Sequence, residues 1–523
     1  MSTFIIRKMK RSINIIFALS LLFSITGCFR DLGNYDYSEV NEAVIGDRGF
    51  TAPYDVRIGI DRLKIDPDIS FSQDGDGSGD YSYEWVAVGQ NFHRGERFVI
   101  GTERSLDYKV EIPAEEYILY LKVRDNATDI VFSRSVGLNV RGLYSVGWLL
   151  AGEDESGNGQ MDMVSISTDV LFLPSVLKPE DGLALSPISS VWIDNDEYTS
   201  DGRLYAGTAE GSYKFDREEF SGSPETSIRY SFAIPPAADM KLSMTDNQKV
   251  SNVRQVMIVD RRAYIVSTDG GMIYNTFSNY DQLNDFNTAD RMICNHTGVQ
   301  GIRTFIFYDL DSRRFCYIKG LSVNRMLTQG DQDDDEWSWD TRNDFDGGLE
   351  FVTAFNSFFN GGQGAAILKD GASGRHYIYC MTAPRTGDPV KNGRYEVIRE
   401  ATGFADAAGY IITTNHGYMI YAAGNRLYGY DFRKESPTVM ELCTFDAPVT
   451  CLKADYETSE KWNDVFYAAT YDDEVPRSGK VYKFRVSDDP TRIGITQESV
   501  WDRTEGDKEQ GFLKIHSIYY KAF

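Results

Sequence analysis

This 523-residue chain has little histidine, little cysteine and almost no long apolar runs. Its five histidines, His93, His296, His376, His416 and His516, are widely scattered, so no His-Glu-x-x-His zinc helix forms. There is no Gly-x-Ser-x-Gly elbow and no phosphate-binding glycine loop. These absences argue against common hydrolase and nucleotide-binding chemistries, and no cofactor is implied. Cysteines other than Cys28 are Cys294, Cys316, Cys380, Cys443 and Cys451. An odd number without a Cys-x-x-Cys pair excludes a disulfide framework and a zinc ribbon, and the thiols read as small buried hydrophobes. No long stretch keeps a 3.6-residue apolar period, which argues against a helical protein. After the first 27 residues no segment is apolar for 18 residues, so no further membrane span is expected.

What is abundant is acid, aromatics and glycine. With 78 acidic and 54 basic residues the formal charge is −24. Such a surface repels nucleic acid and leans towards cationic peptides over anionic glycans. The 32 Tyr, 30 Phe and 46 Gly describe aromatic strands joined by tight turns, an all-β protein. With so many acids, a carboxylate pair for glycoside hydrolysis cannot be singled out.

The N-terminus carries the strongest signal. Arg7, Lys8, Lys10 and Arg11 precede the apolar stretch Ile13 to Ile25, which small residues close before Cys28. Thirteen apolar residues are too few to span a bilayer, which needs about 20. The layout is that of a secretory signal over residues 1–27 with a lipidated Cys28 behind it. Removing the four basic residues takes the mature chain to about −28.

Residues 28–42 read as a polar tether. Residues 43–141 alternate in Tyr81-Ser82-Tyr83-Glu84-Trp85-Val86 and in Tyr117 to Asp125, which suits an immunoglobulin- or PKD-like β-sandwich around a central tryptophan. Asp74 to Asp80 opens like a calcium loop, but its twelfth position is Trp85, so a loop between strands is expected. From residue 142 to 523 one hairpin type recurs: Arg203 to Phe215, Ala263 to Tyr274, Tyr418 to Tyr430, Val465 to Phe484. That repetition predicts a β-propeller, seven blades of about 54 residues, with six or eight also open. Two stacked sandwiches are the competing reading. Leu513 to Tyr520 is expected to close the ring beside Trp148-Leu149-Leu150.

Asp331 to Asp340 is the candidate ligand site. Trp337 and Trp339 share one face of an extended segment, and Asp333 and Asp335 lie close by. Aromatic faces with nearby carboxylates can hold sugars or Lys and Arg side chains. The bland alternative is an acidic loop whose tryptophans pack back onto the propeller. Phe355 to Gly362 is a weaker candidate, whose glycines suggest a tight turn.

Asp31-Leu32-Gly33-Asn34-Tyr35-Asp36-Tyr37, Tyr81 to Trp85, Gly142 to Leu150 and Gly361-Gly362, taken in order, resemble the PKD-like lipoproteins of Bacteroidota. The resemblance covers the N-terminal third well and the remainder thinly. It implies an outer-membrane lipoprotein beside a SusC-like TonB-dependent transporter and a SusD-like lipoprotein, helping to capture peptides or glycans. One departure concerns orientation. Phe29-Arg30-Asp31-Leu32-Gly33 holds a single acid where surface-exported lipoproteins of this group carry an acidic cluster, so the periplasmic face stays open. The expected function is non-catalytic capture, anchored through Cys28. The alternatives are a propeller-type glycan hydrolase or lyase, and a structural surface protein without a small ligand.

Overall fold

The structure is a computed structural model. It describes residues 40–167, 170–193, 203–247, 255–266, 273–277, 285–294, 304–319, 326–333, 335–384, 387–458, 464–502 and 511–522. The signal, Cys28 and nearly all of the tether lie outside them. Among the described residues there is no α-helix, and no helix long and apolar enough to cross a membrane. The fold is all-β: a β-sandwich followed by a propeller.

The sandwich runs from Ala43 to Arg141. Its five-stranded sheet has Tyr81–Gly89 and Glu116–Asp125 at its centre, with Arg97–Gly101 at one edge and Tyr54–Arg57 at the other. Short two-stranded pairs cover its inner face. Alternation places Trp85, Leu119, Leu121 and Val123 in one core. Without a disulfide, this apolar burial holds the sheets together. The Asp74–Asp80 segment is indeed a loop between strands, tied by Asp74 Oδ2 accepting from Gly79 N at 2.8 Å and from the Tyr81 hydroxyl at 3.0 Å.

From Gly147 onward, the described residues form seven antiparallel sheets in order. Five have four strands, the second has three, and the fourth has two regular strands extended by single bridges. The repeated hairpins read from the sequence are pairs of neighbouring strands, as in Met419–Ala423 with Arg426–Asp431. Their inner strands touch in a ring. Lys514–Lys521 packs against Ile188–Ile193 and Val449–Ala454; Ile188–Ile193 meets Leu242–Asn247, and Val449–Ala454 meets Gly409–Ile412. The remaining joints are polar or aromatic. Arg291 donates to Ser243 O at 2.7 Å, Cys294 N donates to Asn356 Oδ1 at 2.9 Å, and Phe355 stacks on Tyr410 at 6.0 Å.

The C-terminal strand closes the ring as expected, pairing Trp148 with Tyr520, Leu149 with Tyr519 and Leu150 with Ile518. Three buried charged residues, Asp162, Arg477 and Lys521, lock this closure. Asp162 accepts from Arg477 Nη2 at 2.6 Å and from Leu513 N at 3.0 Å. Lys521, fully buried, donates to Tyr144 O at 2.6 Å, to Ser145 O at 3.1 Å and to Glu218 Oε1 at 3.1 Å, pinning the last strand to the linker from the sandwich. Burial pushes its amine down to about 8.

Candidate functional site

The Asp331–Asp340 segment runs along the outer edge of the fourth sheet, where Phe315 N donates to Trp339 O at 2.8 Å and Arg314 bridges Asp340. Trp337 and Trp339 do share a face, but that face points inward. They are 2% and 4% exposed, with ring centroids 4.9 Å apart. Trp337 lies edge-on to Tyr379 of the fifth sheet at 4.9 Å, and both rings meet Phe315 at about 6 Å. The expectation of an open aromatic platform is therefore corrected. The two tryptophans fill the seam between two sheets, where burial of two indoles outweighs any surface role.

The acidic part of the expectation has a different outcome. The cation those groups could hold is present, and it is internal. Lys391 comes from the outermost strand of the fifth sheet, Val390–Glu396, where a bulge interrupts the pairing. Its Nζ lies 2.9 Å from Asp331 Oδ1 and 2.6 Å from Asp335 Oδ2, and over the rings of Trp337 at 4.8 Å and Trp339 at 5.3 Å. The box is filled in cis. Burial by itself would raise the Asp331 carboxyl, but hydrogen bonds from Ser338, from the Trp339 N–H and from Lys391 outweigh it and hold it below the usual carboxylate range. Asp335 is held down chiefly by Lys391, then by the Gln332 N–H. Asp333, the remaining candidate, is exposed on the same loop. Nothing in the sequence pointed to Lys391, which lies 54 residues beyond Trp337.

Phe355 to Gly362 forms the tight turn its glycines suggested. Asn360, Gly361 and Gly362 are consecutive left-handed residues, at φ 47°, 74° and 102°. Phe358 packs on Tyr456 at 4.4 Å, and the Tyr456 hydroxyl donates to Asn356 O at 3.1 Å, so loops of the fifth and seventh sheets meet at one end of the ring. Beside them a cleft lined by Thr413, Asp455, Tyr456 and Asp464 has about 10 Å³ of free volume, enough for one water. Its carboxylates are already engaged: Asp464 accepts from the Thr414 and Asn415 N–H groups, and Asp455 from Thr458 and the Tyr467 hydroxyl. Among the described residues, no group of three or more His, Cys, Asp or Glu could hold a metal ion. The described cysteines are all free thiols, buried except for the half-buried Cys443.

Among solved structures, the chain is similar to a quinonprotein alcohol dehydrogenase-like protein from Bacteroides thetaiotaomicron. They share 12% identity over 89% of this chain and 99% of that one, with a TM-score of 0.36. It is also similar to PorZ, a surface component of the type-IX secretion system of Porphyromonas gingivalis: 13% identity, 74% of this chain, 44% of that one, TM-score 0.32. An ancestral GH74 enzyme gives 10% identity over 73% of this chain and 55% of that one, with a TM-score of 0.38. No curated protein matches. Residues 28–186, from the tether through the sandwich and into the first propeller sheet, match the PKD-like family.

Proposed function

We propose that this chain is a non-catalytic lipoprotein of the outer membrane, anchored through Cys28 and exposed at the cell surface. In this reading it assists a SusCD-like TonB-dependent importer in capturing peptides or oligosaccharides. One observation carries it. The PKD-like match begins at Cys28, the residue that follows a charged n-region, a 13-residue apolar stretch and small residues. Cleavage before Cys28 would leave the thiol at the new N-terminus for lipid attachment, at the first residue of the matched region. Asp331, Asp335, Asp455 and Asp464 are each tied to a lysine, hydroxyl or backbone N–H, which fits this reading.

The test is a detergent pulldown from native outer membranes with this protein as bait, with partners identified by mass spectrometry. Co-recovery of a SusC/SusD-like pair is the expected result. A bait that returns alone removes the importer role. New reducing ends after incubation with glycans would replace this reading with a glycan-active enzyme.

A further inference from the structure

The sandwich ends at Arg141 and the first propeller strand starts at Gly147, so Gly142 to Val146 join the two. Domains joined by a linker move against one another unless something holds them. The propeller grips this linker along its length. Leu143 O accepts from Ser165 Oγ at 2.8 Å, and Val146 O from Ile166 N at 3.1 Å. Tyr144 O and Ser145 O both accept from Lys521 Nζ, at 2.6 and 3.1 Å, and the same ammonium reaches Glu218 Oε1 at 3.1 Å. The Tyr144 ring lies edge-on to Phe220 at 5.3 Å, with Lys178 Nζ over it at 5.5 Å. Two of these groups are costly to place. Lys521 is a fully buried cation. Phe220 is fully buried in a left-handed conformation, φ 59°, which a bulky side chain rarely adopts. Both costs fall on one joint. Glu218 and Phe220 share the loop that follows the strand Ser212–Asp216, and Arg217 Nη2 of that loop donates to Ala522 O at 2.9 Å.

On the other side of the linker, the last sandwich residue is fixed to its own domain. Asp55 Oδ1 accepts from Arg141 Nε at 2.9 Å, and Arg141 O accepts from Ile58 N at 2.9 Å. A second contact crosses between the domains. Asp61 Oδ2, which accepts from Arg57 N at 2.7 Å, also accepts from Ser167 Oγ of the propeller at 3.3 Å. One attachment leaves a domain free to turn about it, whereas two define its orientation. Lys521 stands opposite Gly147 in the pairing of the last strand with the first, next to the end of the linker. The hold on the linker is therefore complete once the last strand has docked. We propose that Lys521 is a clasp that sets the orientation of the sandwich on the propeller. Ring closure delivers its ammonium to the linker carbonyls, and the two domains then move as one body. This inference requires neither the lipid anchor nor the importer.

The experiment is pulsed electron paramagnetic resonance on the full chain, with spin labels carried by p-acetylphenylalanine so that the native thiols stay unlabelled. One sample is labelled at the exposed positions 133, in the sandwich, and 475, in the propeller. The other is labelled at the exposed positions 170 and 475, in the first and seventh propeller sheets, and reports on ring closure. The wild type should give one narrow distance from each pair. K521M should broaden the 133–475 distribution at least about twofold, towards the free motion of domains joined by a linker alone, and leave the 170–475 distribution narrow. K521Q, which can still donate to a carbonyl, should broaden the first pair less than K521M. Y144A, which keeps every buried charge and removes the ring from Phe220, should also broaden it less. If K521M does not fold, K521Q and Y144A carry the same comparison, and wild-type widths in both would overturn the proposal. So would a broad 133–475 distribution in the wild type, a K521M distribution as narrow as the wild type, or equal broadening of both pairs in K521M, which would mean that the ring opens.

Discussion

The rim segment Asp331–Asp340 and the sandwich hairpin Gly89–Arg97 each pair aromatic side chains with carboxylates held below their usual range, yet one turns its aromatics inward and the other turns Phe92 outward. The difference lies in what is underneath. The rim crosses a seam between two sheets, where Phe315 and Tyr379 leave room for two indoles and Lys391 reaches across to neutralise two acids. The hairpin caps a core that is already full: Phe98 lies edge-on to Tyr117 at 5.8 Å and to His93 at 5.9 Å. An aromatic residue next to acids is therefore not by itself a binding signal. Its direction depends on whether the neighbouring sheets have a vacancy for it.

The largest effect should come from emptying the seam. W337A or W339A is expected to cost about 3–5 kcal/mol, by lost burial and the cavity left behind. Denaturant unfolding followed by fluorescence would measure it. A loss under about 1 kcal/mol would mean that these rings are not core and would reopen the rim as a ligand platform.

The two internal lysines should respond to opposite ends of the pH scale. Lys521 is held by two carbonyls and a single carboxylate, and its folded pKa is about 8 against an ordinary value of 10.5. Between those values the unfolded chain binds more protons, so stability should rise with pH across the window, by on the order of 1–3 kcal/mol. K521M should flatten that rise relative to the wild type. Lys391 instead acts through its carboxylates. Asp331 and Asp335 are lowered from an ordinary 3.8, so their contribution is full above about pH 4 and is lost as pH falls through the folded values. K391M should cost about 1–3 kcal/mol at neutral pH by leaving the acids without their cation. It should also lose part of the acid-dependent slope. An unchanged acid slope in K391M would show that the box is not an ion pair in solution.

Much of this was legible because β-structure writes a period of two into the chain. The repeats at Tyr418–Tyr430 and Val465–Phe484 gave their hairpins directly, and Leu513–Tyr520 gave the closing strand, because alternation and turn residues are local signals. The rim was half legible. Two tryptophans at spacing two do share a face, but the sequence cannot say which way that face looks. Lys391 was invisible because the bulge that presents it forms only once the fifth sheet is assembled. Phe92 carries a readable mark: it is one large apolar residue inside Gly89-Gln90-Asn91-Phe92-His93-Arg94-Gly95, an otherwise polar turn bounded by glycines.

The smallest expected effect is the most discriminating. Phe92 touches so little of its own protein that F92A should shift stability by less than about 0.5 kcal/mol, as at ordinary surface sites. E115A should cost several times more, because it strips the His93 N–H of its buried acceptor. Together they separate the loop's scaffold from its tip: the scaffold matters to folding and the tip does not. If F92A instead destabilised the protein as much as E115A, Phe92 would be packed in solution, and the hairpin would belong with the tryptophans of the rim.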